Sequence, residues 1–372
     1  MPRELIAVAP GVPELRDYVD APLEPTQIRI ASELASPKHG TELVGYRNDP
    51  VASRPYDPAW GVVMPMPPED AVKSFPMKLG NMVVGVVSES GSDVTRFRVG
   101  DRVFGHFPIR ETHTVDETQA DLLPEGLSAE AALCLDPVLM ALAMRDAHIK
   151  LGDTVAVFGL GAIGLIAVQL ARLAGARQVI ALDPLANRRE LASRFGVDTV
   201  LDPAVGGGDA GLAIRKLTDT GAASHTAVPA ERLVGGYREQ LTQTSELGVD
   251  VAIETSGSTH ALHQAIRATR FGGTVAVVSF YGREATELLL GEEFHINRLQ
   301  LTSVRSQSLP MRDAPGWTLA RMVRLGLDWL IQGRIATEGI IAPIVPFAES
   351  VEAWRMIDER PAEAIKLGIR FP

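Results

Sequence analysis

Hydrophobic and polar positions divide the chain into two regimes. Up to about residue 148 the apolar positions fall in short runs broken by Pro and Gly, such as Gln27-Ile-Arg-Ile-Ala31, Met82-Val-Val-Gly-Val-Val87 and Asp101-Arg-Val-Phe104. Runs of this kind predict the strands of a small barrel-like β domain. From about residue 149, strand-like and helix-like stretches alternate, which predicts a parallel sheet with helices on both faces. Its strands are read over Val155–Phe158, Gln178–Asp183, Val249–Ile253, Gly273–Val278 and Arg298–Ser303, with a helix from His260 to Thr269. A long amphipathic helix is read over Trp317–Gln332. The end of the chain reads as a helix followed by a closing strand, Ala364-Ile-Lys-Leu-Gly-Ile-Arg370. A polar segment near 218–247 is longer than a typical helix-to-strand connection and reads as an insertion, with 231–241 open to a helical reading. A surface excursion explains it most simply; an oligomer contact or a site rim are the other readings.

The most informative stretch is Val155-Ala-Val-Phe-Gly-Leu-Gly-Ala-Ile-Gly164, an apolar strand running into Gly159-x-Gly161-x-x-Gly164 and a helix through Gln169 and Arg172. The first glycine permits a tight turn, the second lets a diphosphate approach the backbone, and the third packs helix on strand. Free N–H groups at the helix start, including those of Ala162 and Ile163, then suit the anionic diphosphate. Asp183 ends the next strand nineteen residues after Gly164, where a carboxylate hydrogen-bonds the ribose of NAD and repels the extra phosphate of NADP. NAD is therefore the expected cofactor.

Bulk properties narrow the setting. The 372 residues suffice for two domains, and 46% hydrophobic content is that of an ordinary globular protein. A net charge of −10 argues against nucleic acid or an anionic membrane as a main partner. Cys134 is the only cysteine, which excludes an intramolecular disulfide and a cysteine-rich zinc cluster. The uncharged stretch Thr154–Ala171 is nearly long enough to span a membrane, but its glycines split it into strand and helix. The N-terminus shows no basic segment followed by an apolar run, so a cytoplasmic protein is expected.

Together these residues resemble the medium-chain dehydrogenase/reductases, which include the zinc alcohol and polyol dehydrogenases. The likeness runs through Gly40-Thr-Glu-Leu43, Gly80-Asn-Met-Val-Val-Gly85, Val99-Gly-Asp-Arg-Val-Phe104, Leu135-Asp-Pro137, the glycine turn, Glu254-Thr-Ser-Gly257 and Gly272-Gly-Thr-Val275. It implies an α/β protein: a GroES-like β-barrel catalytic domain over 1–148, completed by about 305–372, and a Rossmann doubly wound parallel-sheet nucleotide-binding domain over 149–304. It also implies hydride transfer to a small-molecule substrate in a pocket between the domains. A homodimer or homotetramer joined through the sheet edges is a further implication, with Gly272–Phe280 supplying much of the edge.

The departures matter more for chemistry. By the resemblance, the first zinc-ligand position, a cysteine in relatives, falls on His39. The histidine and carboxylate of a second motif become Asn81 and Met82, and the third ligand position falls on Asp136. A neutral amide is a poor zinc ligand, so no bound zinc is expected, although His106 or His113 would be needed to complete any unusual site. Without a Lewis acid, Lys38, His39, Thr41 and Asn81 become the candidates to stabilise an oxyanion and move a proton. His39 is the first choice as general acid/base because an imidazole titrates near neutrality, against the alternative that it only bonds backbone. Thr41 matches a relay hydroxyl in zinc relatives, while Val44 interrupts the relay. Asp136 reads first as the cap of a helix over Val138–Arg145, and Glu42 as part of a structural hydrogen-bond network.

By the same resemblance, Thr255, Ser256, Ser279, Phe280, Ser303 and Val304 lie where relatives contact the cofactor, and Arg188 lies along the adenine. The leading expectation is an NAD(H)-dependent oxidoreductase interconverting a secondary alcohol and a ketone on a polar sugar- or cyclitol-like substrate. A zinc-free enoyl or quinone reductase and a non-catalytic NAD-binding protein are the rivals.

Overall fold

The computed structural model describes residues 1–67, 74–219, 247–282, 285–306 and 313–372. The insertion near 218–247, with the helix read over 231–241, therefore lies almost wholly outside the described residues. The chain forms two compact units, Met1–Asp136 with Leu327–Pro372, and Pro137–Gly326. The divisions fall at these points rather than near 148 and 305; the first is moved because the helical segment 143–147 packs on the strand Thr269–Val277 of the second unit.

The first unit is built on a mostly antiparallel sheet. Its strands run in the order Asp121–Leu122, Arg102–Gly105, Met82–Ser90, Gln27–Ser36, Lys366–Arg370, Ile341–Pro346, with Thr112–Asp116 also pairing on Gln27–Ser36. Along Gln27–Glu33 the period of two is plain: Ile28, Ile30 and Ser32 are buried between half-buried neighbours. The closing strand Lys366–Arg370 is different. Its first four residues are all buried, and it lies antiparallel to Gln27–Ser36 and parallel to Ile341–Pro346. The end of the chain thus sits in the middle of a sheet begun near residue 27. Leu5, Ile28, Ile109, Phe347 and Trp354 fill the core beside it, with Trp354 meeting Tyr46 edge-on at 5.9 Å.

The second unit is a six-stranded, all-parallel sheet in the order Thr199–Leu201, Gln178–Leu182, Thr154–Phe158, Val249–Glu254, Thr269–Val277, Gln300–Ser303. Order reverses between Thr154–Phe158 and Val249–Glu254, the point at which ligands bind outside the carboxyl ends of such strands. The strand Thr269–Val277 is interior, paired on both sides, so Gly272–Phe280 does not form the edge expected from the sequence; Gln300–Ser303 does. Among the described residues no helix is long and apolar enough to cross a membrane.

Candidate active site

In the first unit, the strand Gln27–Ser36 gives way to a short helix, His39–Tyr46, and Lys38 stands at its head. No side chain caps that helix. Instead the Glu42 carboxylate turns back, accepting the Lys38 backbone N–H at 2.5 Å and the Gly80 N–H at 2.6 Å. Burial holds the Glu42 carboxyl above its ordinary range, against the lowering effect of those two N–H groups and of Lys366. Glu42 is therefore occupied with backbone.

Lys38 Nζ donates to Asp136 Oδ1 at 3.1 Å. The helix carrying Asp136 begins at Leu135, so the carboxylate sits inside its first turn and does not cap a helix starting at Val138 as the sequence suggests. The Asp136 side chain is 6% exposed and that of Lys38 is 20% exposed, which leaves the ammonium the more accessible partner. Below them, the buried Lys366 Nζ donates to the Pro37 carbonyl at 2.6 Å. Burial lowers the pKa of this ammonium, and nearby Asp136, Cys134 and Glu42 oppose that effect.

His39 Nε2 accepts the Leu367 N–H at 3.0 Å. A neutral imidazole that accepts through Nε2 carries its proton on Nδ1. A second proton on Nε2 would face a backbone donor and break that bond. Asn81 reaches the same loop through its backbone N–H, which donates to the Ser36 carbonyl at 3.3 Å, and its buried side-chain Nδ2 has no partner. Thr41 lies exposed on the helix.

The remaining candidates do not join this cluster. His113 is buried and stacked on Phe107, and burial, then Arg110 and Lys78, push its pKa down to about 3. His106 is exposed. Burial pushes the Cys134 thiol up to about 12, so it is not a nucleophile near neutrality. No group of three or more His, Cys, Asp or Glu among the described residues is arranged to hold a metal ion.

In the second unit the glycine turn has the expected form. Gly159 has φ +92°, and at Gly164 a Cβ would stand 1.9 Å from the Gly159 carbonyl oxygen, so neither position tolerates a side chain. A Cβ on Gly161 would meet nothing within 4 Å. The helix Ala162–Leu173 starts there without a side-chain cap, so the N–H groups of Ala162 and Ile163 have no partner within the helix. These features form a cradle for an anion.

Asp183 ties the next strand to the turn: Oδ2 accepts the Leu160 N–H at 2.7 Å and Oδ1 the Leu185 N–H at 2.9 Å. Arg188 Nη1 lies 3.5 Å from Asp183 Oδ2, which pairs it with this carboxylate. Thr255 Oγ1 donates to the Gly159 carbonyl at 2.7 Å, while Ser279 Oγ accepts the Gly257 N–H at 2.8 Å. Glu254 is fully buried and accepts the Ser256 N–H at 2.7 Å and the hydroxyls of Ser256 and Tyr281. Phe280 projects outward at 56% exposure. Ser303 ends the edge strand, and the buried Val304 donates its N–H to the Val277 carbonyl at 2.9 Å. Apart from Arg188, which lies on the helix Ala186–Arg194, these residues lie at or just beyond the carboxyl ends of the strands.

Sequence reasoning missed Lys366 and the partnership of Tyr281 with Glu254. Lys366 stands among apolar neighbours in a strand buried on both faces, so alternation gives no sign of which way it points. Tyr281 lies beyond its strand, where no periodicity applies.

Comparison with known proteins gives concordant results. A family model described as "Zinc-binding dehydrogenase" matches residues 162–320, and one described as "Alcohol dehydrogenase GroES-like domain" matches residues 61–135. The D-guloside 3-dehydrogenase of Escherichia coli (strain K12) is 36% identical over 377 residues, covering 99% of this chain and 100% of that protein. Among solved structures, a Sinorhizobium meliloti 1021 protein bound to NADP aligns with a TM-score of 0.68 at 21% identity, covering 100% of this chain and 99% of the other. An alcohol dehydrogenase from E. coli CFT073 complexed with NADH aligns with a TM-score of 0.68 at 16% identity, with the same coverage.

Proposed function

The chain belongs to the medium-chain dehydrogenase/reductase superfamily, and from that membership we propose that it interconverts a secondary alcohol and a ketone on a sugar-like substrate, using NAD(H) and no catalytic zinc. The substrate class is supported by end-to-end similarity to a protein named for its action on a guloside. Polar groups gathered around Lys38 suit a hydroxyl-rich molecule.

The observation that carries the reading is the Lys38–Asp136 pair at 3.1 Å. Of the three positions that by resemblance would hold zinc, His39 has its Nε2 engaged by the Leu367 N–H and Asn81 offers an amide. The third, Asp136, already carries an ammonium partner. Such a donor set does not fit a divalent ion that needs three free imidazole, thiolate or carboxylate ligands.

A nicotinamide dinucleotide fits the second unit: Gly159–Gly164 would hold the diphosphate and Asp183 the adenosine ribose. NAD(H) is favoured over NADP(H) because a 2′-phosphate would meet the Asp183 carboxylate. When bound, the nicotinamide supplies the hydride acceptor or donor.

The chain's own contribution is proton transfer and charge stabilisation. In reduction, negative charge grows on the carbonyl oxygen, and the Lys38 ammonium donates first a hydrogen bond and then a proton to it. In oxidation the same nitrogen takes the hydroxyl proton back. Asp136 orients Lys38 in both directions. His39 in this reading shapes the loop and is not the acid/base.

The experiment is elemental analysis for metal on the purified protein beside NADH titration, followed by oxidation of methyl D-guloside with NAD⁺. NADH binding and turnover with metal near zero support the reading. Stoichiometric zinc required for turnover would overturn it.

A further inference from the structure

The strand Lys366–Arg370 grips the loop around Lys38 from both sides. Lys366 Nζ donates to the carbonyl of Pro37, the residue just before Lys38, at 2.6 Å. The Leu367 N–H donates to the His39 side chain, just after Lys38, at 3.0 Å. The Leu367 carbonyl accepts the Ser36 hydroxyl at 2.7 Å. These three bonds span 328 to 331 residues of sequence and land on positions 36, 37 and 39, either side of Lys38.

Lys366 is the unusual member of this grip. It is 4% exposed, and taking an ammonium out of water is costly unless acceptors and counter-charges replace the lost hydration. One carbonyl is its direct acceptor, and the charges of Asp136 and Glu42 act on it favourably while that of Lys38 acts against it. An apolar side chain of similar length would fill the same space without that cost. The amine does what an apolar chain cannot: it donates to the carbonyl of the peptide that carries Lys38.

We propose that Lys366 is a positioning residue for catalysis, holding the Pro37–Lys38 peptide so that the Lys38 amine meets the substrate oxygen. The proposal rests on the reading of Lys38 as proton donor and acceptor. Lys366 itself is buried and touches no substrate.

The test compares Lys366→Met, Lys366→Gln and Lys38→Met with the unaltered full chain. Methyl D-guloside serves as substrate, with and without deuterium on the carbon that is oxidised. NADH titration counts the folded sites in each sample, so turnover is expressed per binding site. In Lys366→Met, kcat per site should fall about 10–100-fold, the cost of a displacement near 1 Å in a reacting group. The NADH dissociation constant should stay within about threefold, and the deuterium effect on kcat should rise as chemistry becomes limiting. Lys366→Gln keeps a donor for the Pro37 carbonyl and should recover part of the loss; it also serves if the methionine variant does not fold. Unchanged kcat per site and an unchanged deuterium effect in Lys366→Met, with Lys38→Met inactive, would overturn this proposal alone. Wild-type turnover in Lys38→Met would overturn the Lys38 reading and this proposal with it.

Discussion

Lys38 and Asp136 stand 98 residues apart in the chain and 3.1 Å apart in space. Their pairing puts a partly exposed lysine where relatives by resemblance place a metal. Replacing Lys38 with Met should lower turnover by about 10²–10⁴-fold, the range expected for loss of a general acid/base. Lys38→Arg should not restore it, because a guanidinium does not give up its proton near neutrality. Steady-state kinetics on methyl D-guloside, with NADH binding as the control for folding, measures both.

His39 offers a contrasting expectation. Since its Nε2 already accepts the Leu367 N–H, His39→Ala removes that hydrogen bond and leaves a backbone donor unpaired. Stability should fall by about 1–2 kcal/mol, while kcat should change by less than about tenfold. A loss of turnover as large as that of Lys38→Met would return the proton transfer to the imidazole.

Asp183 carries the proposed preference for NAD(H). Its oxygens accept backbone N–H groups from Leu160 and Leu185, which aim the carboxylate and leave further lone pairs for ribose hydroxyls. Asp183→Ser should weaken NADH by about 1.5–3 kcal/mol, roughly ten- to a hundredfold, and improve NADPH relative to it. Fluorescence titration with the two reduced cofactors measures the ratio. An unchanged ratio would remove Asp183 from the ribose site.

His113 predicts a pH effect on stability. Folded, it titrates at about 3, while in an unfolded chain it titrates at 6.5. Below 6.5 the unfolded chain therefore takes up a proton that the folded chain refuses, and stability falls as the pH drops from 6.5 toward 3. Above 6.5 the contribution is fully present. His113→Phe keeps the stack on Phe107 and removes the unpartnered Nε2, so the acid slope should shrink by up to about 1.4 kcal/mol per pH unit. Denaturant midpoints measured across that range test this, and parallel curves for the two proteins would assign the acid lability elsewhere.

The second unit was largely legible in the sequence, and the reason is local. The glycine turn, the helix Ala162–Leu173 and Asp183 lie within thirty residues, where spacing alone constrains geometry. Residue types around Lys38 were also readable, but their roles were not. Whether His39 bonds backbone or substrate depends on Leu367, and whether Asp136 caps a helix or pairs with a lysine depends on where the helix begins. Lys366 was invisible for the same reason: its meaning comes from a partner 329 residues away. The mistaken sheet edge came from treating Gly272–Phe280 as terminal when Gln300–Ser303 pairs beyond it.

The position of the strand Lys366–Arg370 also bears on how the protein is made. Synthesis runs from the N-terminus, so the loop bearing Lys38 leaves the ribosome long before the strand that secures it. The Pro137–Gly326 unit is complete in sequence before that strand emerges. A nascent chain halted short of residue 366 should therefore be able to take up dinucleotide while having no competent proton-transfer group. In the proposed mechanism, proton transfer awaits the strand that secures the Lys38 loop, long after that loop itself has been made.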